Sequence, residues 1–512
     1  MGSRERVRSA LRFWTLPSVL LLSLGVLLPN AWVADDAYIT LRTVDHFCDG
    51  RGLIYNPGER VQAYTHPLWM FALSAVYWVS GAHYWGTIAL GLVCSLLTIS
   101  GFVAWHGRHP GVAAALALSL LGTRAFVDFS TSGLENPLTH GLLVLFYAIF
   151  FREPERERRR WLSSLSLIAA ALLLCRMDAI WLVLPALFRA AFQSRPALSR
   201  RALFGAMALG MTPWLAWESF ALFYYGSALP NTALAKLHTG VPQSALIQQG
   251  VLYVLDVAGR DPWTLLILLS GLLAAVMRPA AGTWTLAVGL LFHLAYVLFI
   301  GGDFMSGRFF SAPLVMACLI LARSVPQTVN TARGLAIAAV LGGFLAVRPT
   351  WNLDFEPRGS RFGAEWDRAT GISDEQLYWY PSTGILSARR FGLDMPQSKG
   401  RNIAEQTPPG AVLAVGAAGI TGFFAHPTIH ILDHFAIVDR FLARLPSLPD
   451  FRPGHFRREI PAGYQETLTS GDNTLQDARL RRIYDDIRQV TRGPLLSADR
   501  LKAIGRLHFS RY

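Results

Sequence analysis

The chain has 512 residues, 52% of them hydrophobic and only 16% charged, against roughly 25% charge in soluble domains. That composition excludes a chain that is soluble throughout and points to a polytopic membrane protein with one soluble part. The net charge of +13 would suit nucleic acid in a soluble domain. Here the basic residues sit in short clusters between apolar runs, where they set topology, so no nucleic-acid partner is expected.

Apolar runs lie near 13–34, 67–80, 87–105, 111–127, 137–151, 161–174, 177–193, 202–222, 262–277, 282–300, 309–324 and 334–348. A span takes about 20 apolar residues, with a range of ~17–25, so the shorter runs must borrow flanking residues. Arg4, Arg6, Arg8 and Arg12 before the first run mimic a signal peptide. A cut after Ala34 would put Trp32 where a small residue is needed, so this run reads as an uncleaved first span. The positive-inside bias then places the N-terminus in the cytoplasm and Asp35 outside.

REPERERRR (152–160) is the strongest basic cluster and is cytoplasmic too. Counting back from it, SGLENP (132–137) is external and HGRHP (106–110) internal. That leaves 67–80 as an interfacial or half-inserted helix on the outer face. Counting forward, 175–178 falls outside, 194–201 inside, 223–260 outside, Arg278 inside, GGDFMSGR (301–308) outside and 323–333 inside. The expected fold class is a polytopic α-helical membrane protein with about eleven spans plus the interfacial helix.

Two domains are expected. Residues 1–349 form the transmembrane part, including the first external loop 35–66. Residues 350–512 form an extracytoplasmic α/β domain, because apolar runs stop there and Pro, Gly and charge return. AVLAV (411–415) and TIHIL (428–432) have the composition of short strands around a Gly-rich helical segment, GAAGITGFFA. LQDARLRRIYDDIRQV (475–490) has the period of an amphipathic helix rich in Arg. The four cysteines, Cys48, Cys94, Cys175 and Cys318, show no CxxC spacing, so neither a zinc site nor a disulfide framework is indicated.

Loop 35–66, DDAYITLRTVDHFCDGRGLIYNPGERVQAYTH, opens on two adjacent carboxylates where a span meets water. Such a pair is costly without a task. The other outer loops carry most of the remaining polar candidates, and the inner loops carry mostly arginine. A transporter would place ionisable groups at mid-membrane; this one-sided placement favours an enzyme at the outer leaflet boundary. The chemistry suggested is glycosyl transfer from a lipid-linked sugar. A carboxylate takes the proton of the attacking hydroxyl, and Arg, Lys or His holds the charge of the departing polyprenyl phosphate.

Asp35 and Asp36 are the candidate bases; one can cap the helix that starts at Ala37 while the other reacts. Asp35 is preferred, being nearer the membrane exit. Arg42 can pair with Asp45 or Asp49. Arg176, Lys236, Arg308 and His66 are candidates for the donor phosphate. Tyr64, Glu135, Asp178, Asn231 and Asp303 are candidates for the sugar or acceptor. Each has a structural alternative: Glu135 as a helix cap, Arg176 and Asp178 as a mutual pair, and Asp303 and Arg308 as flanks of a glycine-rich turn. Asn231 and Lys236 share their loop with Tyr224, Tyr225 and His238, where tyrosines suit a membrane interface. Glu218 is expected to be a buried hydrogen-bond partner.

DDAYITLR, then GRGLIYNPGERVQAYTHPLW, a later SGLENP and a basic tail containing RPGHFRREIPAGY together resemble the GT-C superfamily of polyprenyl-phosphate-dependent glycosyltransferases. Within it the chain resembles the bacterial arabinofuranosyltransferases of the AftB type. The resemblance covers the membrane part and matches the tail more loosely. It implies an acid on the first external loop as base, hence Asp35 or Asp36. It also implies an inverting transfer from a polyprenyl-phosphate sugar to an extracytoplasmic glycan, glycolipid or protein. The sugar stays open, a pentofuranose being one candidate, and so does the cofactor, a divalent metal included. Two other function classes compete: a flippase for lipid-linked sugars, and a non-catalytic scaffold whose tail binds cell-wall glycan.

Overall fold

The computed structural model describes residues 3–509 except 106–109, 155, 238, 280–281, 325–332, 335, 339, 343–363, 388–398, 450–451 and 453. His238, most of the loop 106–110 and most of the apolar run 334–348 therefore lie outside the described residues. The fold is mostly helical. It divides into two compact units, each assembled from three stretches of sequence. One is Met1–Val33, Thr87–Pro213 and Ser244–Gly392; the other is Ala34–Gly86, Trp214–Gln243 and Leu393–Tyr512.

The first unit is a helical bundle. Its core joins Val26, Phe102, Leu118, Phe146, Leu165, Leu182, Leu290 and Leu314, among others. Small residues bring the helix axes close. A methyl on Gly271 of helix Pro262–Met277 would lie 2.9 Å from the Ala317 Cβ of helix Ser311–Ser324, and one on Gly289 would overlap the Leu182 carbonyl. Without water between spans, such backbone approach is the main source of helix association.

Helix Pro262–Met277 also turns Trp263, Leu266, Leu269, Leu273 and Val276 outward, all more than half exposed. An apolar stripe of that extent marks a surface that faces lipid or another protein rather than water.

Helix starts follow local chemistry. Pro262 sits at the first position after Asp261, whose carboxylate accepts from the Thr264 N–H; Asp as cap and Pro at the next position is a favoured pairing. Among the described residues, His83–Trp105 and Thr283–Ile300 are long and apolar enough to cross a membrane, or up to four spans if each bent pair counts as one. Helices Pro67–Ser80, Asn136–Phe150, Ile180–Ser194 and Ser311–Ser324 carry other apolar runs but have only 14 or 15 residues.

The second unit holds the only sheet among the described residues. Strands β1 (Val412–Val415) and β2 (His430–Asp433) pair in parallel, Val412 opposite His430 and Val415 opposite Asp433. A parallel pair needs a crossover of about a dozen residues, and the helix Gly419–Phe424 lies within it. β2 is buried along its length, while β1 is only partly covered. The amphipathic helix is Ala478–Arg492, burying Ile483, Tyr484, Ile487 and Val490. Helix Asp35–Cys48 buries Asp35, Ala37–Val44 and His46 within the same unit.

Candidate active site

Asp35 and Asp36 open helix Asp35–Cys48, but their surroundings differ. Asp35 is 8% exposed, and its carboxylate oxygens accept the N–H groups of Ile420 (2.8 Å) and Gly419 (3.2 Å). Burial pushes its pKa up to about 7; the two N–H bonds oppose this, and the nearby charges of Asp36 and Asp433 add to it. Asp36 is only partly buried. Asp433, at the end of β2, is fully buried and accepts from the N–H groups of Phe435, Ile437 and Val438. Burial raises its pKa to about 6, with Asp36 again contributing. Asp36 is thus the more open member of an acidic trio.

Arg42 fixes this arrangement. It is 1% exposed and donates to the carbonyls of Tyr55 (2.9 Å), Gly422, Ala425 (3.0 Å) and Ile429 (3.0 Å). The expected partners Asp45 and Asp49 instead face Arg51, at 3.9 and 3.0 Å. Asn56 runs along β2, donating to the Ile431 carbonyl and accepting its N–H, each at 2.9 Å.

Of the remaining sequence candidates in this unit, Tyr64, His66 and Asn231 are engaged in the fold. The Tyr64 hydroxyl meets that of Tyr225 at 3.0 Å. His66 Nε2 meets Thr40 Oγ1 at 2.9 Å. The Asn231 amide donates to the carbonyls of Ala436 and Ile437 at 2.9 Å and of Asp439 at 3.2 Å. Lys236 is exposed. Glu218 is partly buried and shares a hydrogen bond with the Trp214 side chain.

In the first unit, five candidates from three distant stretches meet in one network. Glu135 takes Arg176 at 3.0 Å and Arg308 at 3.1 Å. Arg176 also pairs with Asp178 at 3.0 Å and lies over the Phe309 ring, 4.5 Å from its centre. Arg308 reaches Asp303 at 3.6 Å. Gly302 and Gly307, at φ +71° and +75°, let the turn bring Asp303 and Arg308 inward, a conformation that favours glycine. Sequence reasoning missed His293, whose Nε2 is 3.9 Å from Asp178; one histidine in an apolar helix gave no signal. Three carboxylates face two guanidinium groups, so both arginines already have their charge matched. Among the described residues, no group of three or more His, Cys, Asp or Glu side chains could hold a metal ion.

No protein-family model matches the chain. It is 30% identical over 439 residues to the terminal beta-(1->2)-arabinofuranosyltransferase of Mycobacterium tuberculosis, covering 75% of this chain and 68% of that protein. It is 27% identical over 341 residues to the protein of the same name from Corynebacterium glutamicum, covering 58% and 48%. Two solved structures are similar at a looser level. ArnT from Cupriavidus metallidurans, bound to undecaprenyl phosphate, gives a TM-score of 0.45 at 14% identity over 82% of this chain and 85% of that one. Arabinosyltransferase EmbB from Mycobacterium smegmatis gives 0.39 at 15% identity over 74% and 40%. Neither of these two likenesses is close enough to carry an argument. At the identity and coverage of the mycobacterial relative, the chain belongs to the terminal beta-(1->2)-arabinofuranosyltransferase family and is a membrane glycosyltransferase.

Proposed function

We propose that the chain moves a sugar, a pentofuranose by analogy with its relatives' names, from a polyprenyl-phosphate donor to an extracytoplasmic glycan or glycolipid, with inversion. Asp36 is the proposed base. The observation behind that choice is the division of labour at the head of helix Asp35–Cys48: Asp35 spends both oxygens on backbone N–H groups, while Asp36 stays partly exposed.

In the proposed step the Asp36 carboxylate takes the proton of the acceptor hydroxyl. The acceptor oxygen bonds to the anomeric carbon from the face opposite the phosphate. The bond from that carbon to the phosphate oxygen breaks, and polyprenyl phosphate leaves with the negative charge. A positioned base of this kind contributes about 10²–10⁴-fold.

Arg176 and Arg308 are proposed to hold the phosphate, which requires at least one of them to exchange Glu135 for it. Lys236 and His66 are further phosphate candidates. Glu135, Asp178, Asp303, Tyr64 and Asn231 are proposed to bind sugar hydroxyls. The reading keeps a topology of about eleven spans with the N-terminus cytoplasmic, a membrane part over 1–349, and an extracytoplasmic part over 350–512. It leaves metal dependence open.

The test is Asp36→Asn in proteoliposomes, assayed for transfer from radiolabelled polyprenyl-phosphoryl arabinofuranose to a synthetic arabinofuranose oligomer. Turnover should fall about 10²–10⁴-fold with little change in either KM. Undiminished turnover in a folded variant removes Asp36 as base. No transfer by the unaltered protein removes the donor assignment.

A further inference from the structure

Helix Ala498–Phe509 of the second unit has one buried face and one exposed apolar stripe. It buries Arg500, Ala503 and Leu507. On its other side Leu501 is 60% exposed and Phe509 90%, and Leu496, just before the helix, is 83% exposed. Ala498, Leu501, Gly505, His508 and Phe509 follow one another at the spacing of a single helical stripe. Charge flanks it. Lys502 lies at its border and Asp499 farther round, their side chains 68% and 81% exposed. Arg506, on the same side as Asp499, pairs with Asp486.

The buried face ties this helix to the end of an apolar segment. Arg500 Nη2 donates to the Tyr224 carbonyl at 2.9 Å, in the last turn of helix Arg200–Tyr225. A methyl on Gly226, the next residue, would lie 2.5 Å from Val490 Cγ1 and 3.1 Å from Ile504 Cγ1. Within the same unit, Leu215, Leu222 and Phe223 of helix Arg200–Tyr225 are each nearly half exposed. They border or belong to the apolar run 202–222, which reads as a span. Tyr224 and Tyr225 follow, the residue type that marks the boundary between hydrocarbon and water. Helix Ala498–Phe509 is therefore held at the level where that segment would leave the membrane.

At that level the exposed stripe continues the lipid-facing surface of the segment beneath it. A helix lying in the interface puts Leu and Phe among acyl chains. A lysine at its border lays its stem along the apolar surface and its ammonium among the headgroups. Leu501, Phe509 and Lys502 have this disposition.

We propose that helix Ala498–Phe509 docks on the membrane surface, with Leu496, Leu501 and Phe509 inserted among lipid chains and Lys502 against lipid phosphate. This docking needs neither Asp36 nor sugar transfer. Its effect reaches loop 35–66 through the neighbouring helix Ala478–Arg492. The Arg60 N–H donates to the Thr491 carbonyl at 3.1 Å, and Arg492 pairs with Glu59 at 2.9 Å. The loop that opens on Asp35 is thus braced from the lipid surface.

The experiment uses the full chain in nanodiscs of phosphatidylethanolamine and phosphatidylglycerol, with Cys48→Ala and Cys94→Ala; Cys175 and Cys318 are buried. A nitroxide is attached at single cysteines introduced as Ala498→Cys, Asp499→Cys, Leu501→Cys, Gly505→Cys, Arg506→Cys and Phe509→Cys. EPR compares its collisions with oxygen, which concentrates in lipid, and with a water-soluble nickel chelate. The oxygen-to-nickel ratio should be several-fold higher at 498, 501, 505 and 509 than at 499 and 506. Leu501→Asp should lower it at 509. If Arg506→Cys melts early, Asp499→Cys alone supplies the contrast. A low ratio at every position places the stripe in water and overturns the proposal. Few collisions with either reagent along the stripe mean that protein covers it, a second copy included, and overturn it as well. A high ratio without the helical period reflects a label that seeks lipid by itself and also counts against docking.

Discussion

Asp35→Asn separates the two adjacent carboxylates by the pH dependence of stability. Asp35 is buried, and its pKa rises from 3.8 to about 7. Roughly three units at ~1.4 kcal/mol each make this a term on the order of 4 kcal/mol. The sign follows from which state holds the proton. Between about pH 4 and 7 the folded protein keeps a proton that the unfolded chain has lost. The associated stability is therefore complete below about pH 4 and is lost as the pH climbs to 7.

Asparagine does not ionise, so it removes this slope. Its NH2 group cannot accept where either oxygen of the carboxyl can, so it strands one of the N–H groups of Gly419 and Ile420. That costs about 1–3 kcal/mol at every pH. The variant should therefore be less stable than the parent by about 1–3 kcal/mol near pH 4. Near pH 8 it should be as stable or more so, because the parent then carries about 4 kcal/mol of buried charge. Tryptophan-fluorescence denaturation in micelles from pH 4 to 8 measures the difference, and the transfer assay runs beside it. A difference of constant sign and size across that range refutes the account. Normal melting with abolished transfer would make Asp35, not Asp36, the reacting group.

Other expectations can be checked with single variants. Arg42→Met leaves the carbonyls of Tyr55, Gly422, Ala425 and Ile429 without their donor; a loss of about 3–5 kcal/mol is expected. It would appear as new protease cuts in 399–449, and an unaltered digest counts against it. Gly422→Ala drives a methyl into the Tyr55 hydroxyl and should cost about 1–3 kcal/mol; in a Tyr55→Phe background most of that cost should vanish. A double-mutant cycle on Glu135→Gln and Arg176→Gln should return a coupling of about 0.5–3 kcal/mol; additive effects would deny the ion pair at 3.0 Å any energetic weight.

Much of the helical content was legible because span length and apolar composition are local properties. So were the strands around 411–415 and 428–432, where β-branched and apolar residues gather between turn formers, and the amphipathic helix now placed at Ala478–Arg492. Proline and glycine marked the helix ends at Pro67, Pro262 and Gly301 for the same reason. The candidates Glu135, Arg176, Asp178, Asp303 and Arg308 were each visible as polar residues between apolar runs.

That those five share one network was not legible, because ion pairs between residues up to 173 positions apart depend on how helices cross. Nor did the pattern reveal that Arg42 would bind carbonyls nearly 390 residues away rather than its own helix. A local pair was available by spacing, but burial leaves a guanidinium only the acceptors that packing brings to it. The difference between Asp35 and Asp36 has the same origin. Two identical side chains, adjacent in sequence, diverge because their positions on the helix turn one onto the amides of Gly419 and Ile420 and leave the other partly open.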